Sequence, residues 1–272
     1  MNSKILWDCH MHSDFSSDSS TPMEAMIQKG ISLGLRGICF TEHLDPDYPV
    51  FEGGPSFTLD IPAYQDRLYT LREKYNGVFD LRFGIELGLQ PHLSTYFENL
   101  TNQYPFDFVI GSSHLVQGMD PYFPGYFDTR DESVGYQQYF ESILENLQTI
   151  HSFDTYGHLD YIVRWGPNKN RYYSYHQYAE IFDEILKQLV QKQIGLEINT
   201  GGFYRNLGEP NPCTDIIRRY RELGGEIITV GSDAHILENI SHSFDKVVDI
   251  LIGCGFRYYT VFKERKPEFV KL

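Results

Sequence analysis

The stretch Ile5–Ser19, ILWDCHMHSDFSSDS, decides the fold and raises the question of function. Its first three residues form a short apolar run that is typical of a buried strand. His10 and His12 follow this run, and on an extended chain two residues that are two positions apart point to the same face. The stretch therefore predicts a strand whose C-terminal end presents a pair of potential metal ligands.

The same arrangement recurs along the chain, and segments with a helical pattern separate the apolar runs. Repeated strand–helix alternation over 272 residues predicts an α/β fold with a parallel β/α barrel, in a single domain that spans 1–272. An open doubly wound sheet is the alternative, but the sequence has no GxGxxG or Walker-type loop to support a nucleotide-binding form of it. The predicted strands are Ile5–Trp7, Gly37–Phe40, Leu81–Ile85, Phe106–Ile110, Thr155–Tyr156, Gly195–Ile198, Ile227–Val230 and Tyr258–Phe262.

Six amphipathic segments between these strands are predicted to be helices. The first has a marked start, because Thr21 as N-cap, Pro22 in the first helical position and Glu24 three residues after Thr21 form a capping-box pattern. The predicted helices run from about Pro22 to Leu33, Ile61 to Tyr75, Ser133 to Ile150, Tyr175 to Gln193, Thr214 to Leu223 and Phe244 to Leu251.

Composition and charge argue against several classes of protein. Apolar residues make up 41 %, which is enough for a core, and the net charge of −14 with no long basic run argues against a nucleic-acid partner. The four cysteines are scattered without a CxxC pair, which is typical of free thiols in a reducing compartment. The sequence shows no signal-peptide core and no apolar run near the roughly 20 residues of a membrane span. We therefore expect a cytoplasmic protein without a membrane partner and with an undetermined oligomeric state.

Most predicted strands run into His, Asp or Glu at their C-terminal ends, which a parallel barrel gathers on one face. A single strand-end histidine is more often a hydrogen-bonded structural residue, and a strand-end aspartate is often the N-cap of the next helix. Burying so many unpaired imidazoles and carboxylates together would be costly, and binding metal ions removes that cost. Mixed imidazole and carboxylate ligation suits Zn, Fe or Mn. The residues concerned are His10, His12, His43, Glu86, His114, His158, Asp233 and His235.

The motifs resemble those of the PHP (polymerase and histidinol phosphatase) superfamily, and most closely its monofunctional histidinol-phosphate phosphatases. In chain order they are DCHMHSDFSSDS, FTEHLD, GIELGLQPH, DFVIGSSH, GHLDYIVRW, LEINTGGFYR and GSDAH. The resemblance implies a distorted seven-stranded β/α barrel, with the eighth predicted strand outside it, and a site for three divalent transition-metal ions. It implies that His10, His12, Glu86 and Asp233 hold one ion, that Glu86 bridges to a second held by His114 and His158, and that Asp18, His43 and His235 hold the third.

One position departs from a common PHP pattern. Several members have a histidine eight residues after the first motif histidine, where this chain has Asp18. An aspartate ligates such ions equally well. Asp14 is the nearer competitor in the sequence, and the spacing favours Asp18.

The resemblance implies a phosphatase that hydrolyses L-histidinol phosphate, a small-molecule phosphate ester of histidine biosynthesis, to L-histidinol and inorganic phosphate. In that mechanism a metal-bridged hydroxide attacks phosphorus. Arg164 and Arg205 lie a few residues past strand ends and are expected to bind the phosphate through their guanidinium groups, the alternative being ordinary surface arginines. Protonation of the leaving alkoxide is left open between Asp233, a metal-bound water and a histidine.

The sequence is compatible with three functions. The first is the histidinol phosphatase; the second is a PHP phosphoesterase for nucleotides, oligonucleotides or phosphotyrosine; the third is a non-catalytic metal-binding scaffold. For the amine and imidazole of histidinol, acidic and aromatic loop residues are expected. The candidates are Glu42, Asp45, Asp160 and Tyr204.

Overall fold

Seven parallel strands form the centre of the protein, seen here in a computed structural model that describes residues 4–49, 54 and 56–272. Strands that are consecutive in the chain are neighbours in the sheet, so every connection is a crossover that carries the chain back to the same edge. The predicted parallel β/α barrel is confirmed. The strands are β1 (Trp7–Asp8), β2 (Gly37–Leu44), β3 (Asp80–Gly88), β4 (Phe108–Ser112), β5 (Thr155–Tyr156), β6 (Gly195–Asn199) and β7 (Ile228–Gly231).

Helices surround this sheet, and none in the described part of the chain is long and apolar enough to cross a membrane. The six predicted helices are present, and the structure adds α3 and the single-turn α6. In α3 only Phe97 and Leu100 are buried, so the helix leaves little periodic signal in the sequence. The helices are α1 (Met23–Ser32), α2 (Ile61–Lys74), α3 (Ser94–Gln103), α4 (Glu132–Thr149), α5 (Ala179–Lys192), α6 (Gly201–Tyr204), α7 (Thr214–Glu222) and α8 (Phe244–Gly253).

The predicted capping box of α1 is wrong. The helix begins at Met23, and its cap residue, Pro22, makes no side-chain hydrogen bond. The Thr21 hydroxyl instead donates to the backbone carbonyl of His235, at 2.9 Å. A partner more than 200 residues away has replaced the local one, which ties the loop before α1 to the loop after β7.

The seam between β7 and β1 closes the barrel. The Cys9 amide donates to the Val230 carbonyl at 3.0 Å, and the Asp233 amide donates to the His10 carbonyl at 2.8 Å. Because β1 itself has only two residues, this closure depends on the segments just beyond the strand ends. Those are the segments that carry the predicted metal ligands.

A C-terminal hairpin covers the opposite end of the barrel. It consists of β8 (Tyr258–Lys263) and β9 (Lys266–Lys271), which pair in antiparallel fashion, so the eighth predicted strand does lie outside the barrel. At the hairpin turn, Arg265 Nε donates to Asp154 at 2.6 Å and the Glu264 amide donates to Asp107 at 3.1 Å. Both aspartates immediately precede barrel strands, so the hairpin lies against the N-terminal ends of the strands.

Candidate metal centre

The nine residues predicted as metal ligands converge at the C-terminal end of the barrel. His10 and His12 follow β1, His43 lies in β2, Glu86 in β3, His114 follows β4, and His158 follows β5. Asp233 and His235 follow β7, and Asp18 reaches the group from the loop before α1. The parallel strands thus bring together residues as much as 225 positions apart, from His10 to His235.

Glu86 is the centre of this group and is fully buried. Its Oε2 lies 3.1 Å from His10 Nε2 and 3.0 Å from His43 Nδ1, while its Oε1 lies 2.9 Å from His158 Nε2. His114 Nε2 is 3.4 Å from Oε1, on the same side as His158. The two carboxylate oxygens therefore face two different sets of imidazoles, which is the geometry of a carboxylate able to bridge two ions.

Hydrogen bonds at the outer ring nitrogens orient the imidazoles. His10 Nδ1 donates to Glu197 at 2.6 Å, and His114 Nδ1 donates to Asp45 at 2.7 Å. His12 Nδ1 donates to the Ser16 hydroxyl at 3.2 Å, since that hydroxyl gives its own proton to Glu42. On these contacts we assign the proton of each ring to Nδ1, which leaves the lone pair of Nε2 facing the centre.

The lone pairs face acceptors rather than donors. His10 Nε2 lies 3.1 Å from His12 Nε2 as well as from Glu86, and His43 Nδ1, although 3.0 Å from Glu86, has no hydrogen-bond partner. Buried acceptors that point at one another without a donor are unfavourable unless a cation lies among them. Among the described residues, three groups have ligand atoms close enough to share an ion, namely His10–His12–Glu86, His43–Glu86–His114 and His12–His43–His235. The residues present therefore fit a cluster of divalent ions.

Asp18, rather than Asp14, joins this cluster. Asp18 Oδ2 lies 3.0 Å from His235 Nε2 and 3.5 Å from His43 Nε2. Asp14 instead accepts from the amide of Met23 at the start of α1. The geometry thus agrees with the spacing argument that favoured Asp18.

Asp233 is held as a carboxylate. Burial raises the pKa of this carboxyl, but Arg164, His12, His10 and Arg205 together outweigh burial and hold the pKa of Asp233 well below its usual range. Arg164 Nη1 donates to Asp233 Oδ2 at 2.8 Å, and the other oxygen, Oδ1, lies 3.5 Å from His12 Nε2. Asp233 also has a positive φ of 58°, an uncommon conformation for a residue with a side chain. Its ionised oxygen is thereby turned towards the imidazoles.

The two predicted phosphate-binding arginines differ in how their donors are used. Arg164 is buried, and besides Asp233 it donates to Asn211 and Asn199 at 2.9 and 2.8 Å. Arg205 is partly exposed, and its Nη1 has no hydrogen-bond partner, the nearest carboxylate oxygen being that of Asp233 at 3.8 Å. Both line the cleft above the cluster, so Arg205 has a donor to offer an anion there and Arg164 mainly orients Asp233.

The cleft has a volume of about 850 Å³ and has an aromatic wall beside the cluster. On this wall the buried Asp120 accepts from the Tyr48 hydroxyl at 2.6 Å, and Tyr122 packs edge-on against Trp165 with ring centroids 4.8 Å apart. Tyr161 lies between Trp165 and His158. Among the acidic residues that line the cleft in the described part of the chain, Asp120 alone is neither a predicted metal ligand nor hydrogen-bonded to one.

The four residues suggested for the amine and imidazole have other partners. Glu42 binds Ser13 and Ser16, and Asp45 binds His114. The Asp160 carboxylate accepts from Asn211 at 2.6 Å, and the Tyr204 hydroxyl donates to the carbonyls of Ser232 and Asp233. The sequence analysis gave no role to Asp120 or Glu197, because neither lies in a histidine-bearing motif. The signal for Asp120 was a single acidic residue in an aromatic loop, and the signal for Glu197 was an acidic residue in an apolar strand.

Comparison with known proteins agrees with this architecture. The family model of the PHP domain matches residues 8–201. The chain is 32 % identical to a probable histidinol-phosphatase of Clostridium acetobutylicum, over 96 % of this chain and 98 % of that protein. It is 30 % identical to the histidinol-phosphatase of Lactococcus lactis, over 95 % of both chains.

A solved structure extends the likeness to three dimensions. The crystal structure of histidinol phosphate phosphatase from Lactococcus lactis, complexed with zinc, L-histidinol and phosphate, superposes with a TM-score of 0.90. It covers 97 % of this chain and 98 % of that one, at 30 % identity. The chain therefore belongs to the PHP domain family, among its histidinol-phosphatases.

Proposed function

We propose that this protein is a histidinol-phosphatase, a metal-dependent phosphomonoesterase that hydrolyses L-histidinol phosphate to L-histidinol and inorganic phosphate. The observation that carries the proposal is the full-length likeness to the Lactococcus lactis enzyme, whose structure holds zinc, L-histidinol and phosphate. The convergence of nine His, Asp and Glu side chains at the C-terminal end of the barrel supports it. We place the reaction in the cytoplasm and in histidine biosynthesis.

The proposed ligand sets are those that the family resemblance implies. His10, His12, Glu86 and Asp233 hold one ion, Glu86 with His114 and His158 a second, and Asp18, His43 and His235 a third. The contacts of Glu86 with His10 on one oxygen and His158 on the other support its bridging role. The ions are Zn, Fe or Mn, since imidazole and carboxylate donors suit all three.

Bound divalent ions supply a water activated at neutral pH and positive charge for the phosphate oxygens. The chain's own residues do the rest. Arg205 lines the cleft, and its guanidinium, whose buried Nη1 has no hydrogen-bond partner among the described residues, binds phosphate oxygens there. Asp233, which Arg164 helps to keep ionised, relays the proton of the attacking water to the leaving alkoxide, and its low pKa means that it holds this proton only transiently.

The aromatic wall suits the other end of the substrate. Histidinol carries an ammonium group and an imidazole ring, and cations are stabilised by carboxylates and by aromatic faces. Asp120 supplies the carboxylate, and Tyr122, Tyr161 and Trp165 supply the rings. A nucleotide has no such cation, and neither has a phosphotyrosine residue within a peptide, so this wall favours histidinol phosphate over these alternative PHP substrates.

The test is phosphate release from histidinol phosphate, phosphotyrosine, nucleotides and phenyl phosphate. We expect the highest kcat/KM for histidinol phosphate. The variant Asp120→Asn should lower that value about tenfold, since it removes a charge-assisted contact, and leave phenyl phosphate hydrolysis unchanged. A higher kcat/KM for a nucleotide or phosphotyrosine would refute the substrate assignment, and a metal-loaded protein without phosphatase activity would instead support the scaffold interpretation.

A further inference from the structure

Glu197 is a buried carboxylate beside the metal centre that is not among its proposed ligands. It lies in β6, on the sheet between β5 and β7, and is 1 % exposed. We propose that Glu197 is a positioning residue of the metal centre, which orients the imidazole of His10 and fixes the backbone of His158. This inference rests on the metal centre proposed above.

Both oxygens of Glu197 are occupied by donors from the protein. Oε1 accepts from His10 Nδ1 at 2.6 Å, and Oε2 accepts from the His158 amide at 2.7 Å. Asn199 Nδ2 also donates to Oε2, at 3.1 Å, and the same amide side chain accepts from Arg164 through its oxygen. The Glu197 carboxylate thus connects His10 and His158, which belong to two different proposed ion sites. Through Asn199 and Arg164 it is also linked to Asp233.

The contact with His158 acts on the backbone rather than on the ring. His158 has a positive φ of 21°, which is sparsely populated for a residue with a side chain and persists only where surrounding contacts impose it. The hydrogen bond from its amide to Glu197 is such a contact. It keeps the chain turned so that His158 Nε2 lies 2.9 Å from Glu86.

A glycine next to the carboxylate leaves the room it needs. A Cβ atom at Gly231 would lie 2.6 Å from Glu197 Oε1 and 2.3 Å from the Cβ of His10. Any larger residue there would separate Glu197 from His10. The close contact between Glu197 and His10 therefore explains why the GSD motif at the end of β7 begins with a glycine.

A glutamine cannot replace Glu197, because an amide has only one accepting atom. If its oxygen faces His10, its NH2 meets the amide of His158, which is also a donor. If it is turned round, its NH2 meets His10 Nδ1 and favours the tautomer that carries the proton on Nε2, which removes the lone pair offered to the metal. A ligand histidine that loses its outer partner typically binds metal ten- to a hundredfold more weakly.

The experiment compares zinc binding by wild type, Glu197→Gln and a matched control, Asp154→Asn. The Asp154 side chain, 8 % exposed, is also a carboxylate that accepts from an arginine and a backbone amide, but it lies at the other end of the barrel. Zinc affinity is measured by competition with a chromophoric chelator, the number of ions by elemental analysis, and the stability of each apo-protein by its Tm. The readouts do not require activity.

We expect Glu197→Gln to bind at least one zinc ion about ten- to a hundredfold more weakly, with phosphatase activity recovering as zinc is added. Asp154→Asn should keep wild-type affinity even though its apo-protein melts at a lower temperature. Wild-type affinity and stoichiometry in Glu197→Gln, or an equal loss of affinity in Asp154→Asn, would overturn the inference. A wild type that binds zinc but does not hydrolyse histidinol phosphate would refute the proposed substrate alone, and a wild type that binds no metal would refute the metal centre and the inference with it.

Discussion

The two ends of the barrel both carry buried acidic residues, but those residues have different partners. At the N-terminal end Asp154 is paired with Arg265 at 2.6 Å, and Asp107 with Arg72 at 2.6 Å. At the C-terminal end the ion-pair partners of Glu86 in the described part of the chain are all histidines, and none is an arginine or a lysine. A carboxylate that is paired with an arginine stabilises the fold, whereas a carboxylate that is surrounded only by imidazoles is available to bind a metal ion. The contrast separates a structural end from a functional one.

Metal removal should have the largest effect. Dialysis against a strong chelator should abolish phosphate release, because acceptors that point at one another cannot activate water by themselves. The apo-protein should remain folded by circular dichroism but melt at a lower temperature, since a site saturated at 1,000 times its Kd contributes about 4 kcal/mol. Activity should return with added Zn, Fe or Mn. Full activity in protein shown to be metal-free would contradict the mechanism.

The substitution Glu86→Gln should have the next largest effect. An amide cannot bridge two cations, so kcat/KM should fall on the order of a thousandfold, which corresponds to several kcal/mol of lost transition-state stabilisation. Elemental analysis should find fewer ions per chain than in wild type. Asp154→Asn serves as the control for loss of a buried carboxylate, and an activity loss of similar size in that variant would show that the effect is structural.

Removing Arg205 should have an intermediate effect. Arg205→Ala should lower kcat/KM about ten- to a hundredfold and weaken inhibition by inorganic phosphate, because an unpaired guanidinium donor of the cleft is lost. Arg205→Lys should retain only part of the wild-type kcat/KM, since a lysine lacks the planar guanidinium that binds two phosphate oxygens at once. Unchanged phosphate inhibition in Arg205→Ala would show that this residue does not contact the phosphate.

The smallest effect on turnover is expected at the other end of the barrel. Arg265→Ala removes hydrogen bonds to Asp154 and to the Ser152 carbonyl, and should lower the free energy of unfolding by about 1–3 kcal/mol. The value of kcat should stay within twofold of wild type. Arg218→Ala, at an exposed i,i+3 ion pair, is the control and should cost under about 0.5 kcal/mol. A tenfold fall in kcat for Arg265→Ala would break the distinction between the two ends.

Local signals were sufficient for the seven barrel strands, for β8 and for most of the helices, but not for β9, which is largely exposed. Buried strands such as β4 and β7 are short runs dominated by apolar residues, which a linear sequence displays directly. The capping box of α1 failed because Thr21 found a partner on the loop after β7, and α3 was missed because it buries only two residues. Contacts between distant segments override local preferences, and no window of sequence contains them.

The sequence by itself determined that this chain is a parallel β/α barrel and which motifs carry imidazoles and carboxylates to one face, because both follow from order along the chain and from the common direction of parallel strands. Only the tertiary structure decided which atoms meet. It distinguished Asp18 from Asp14, turned the donors of Arg164 towards Asp233, and placed Glu197 between His10 and His158. The physical reason is that hydrogen bonds and ion contacts are decided over tenths of an ångström by side chains from several strands, and residue spacing along one strand does not contain that information.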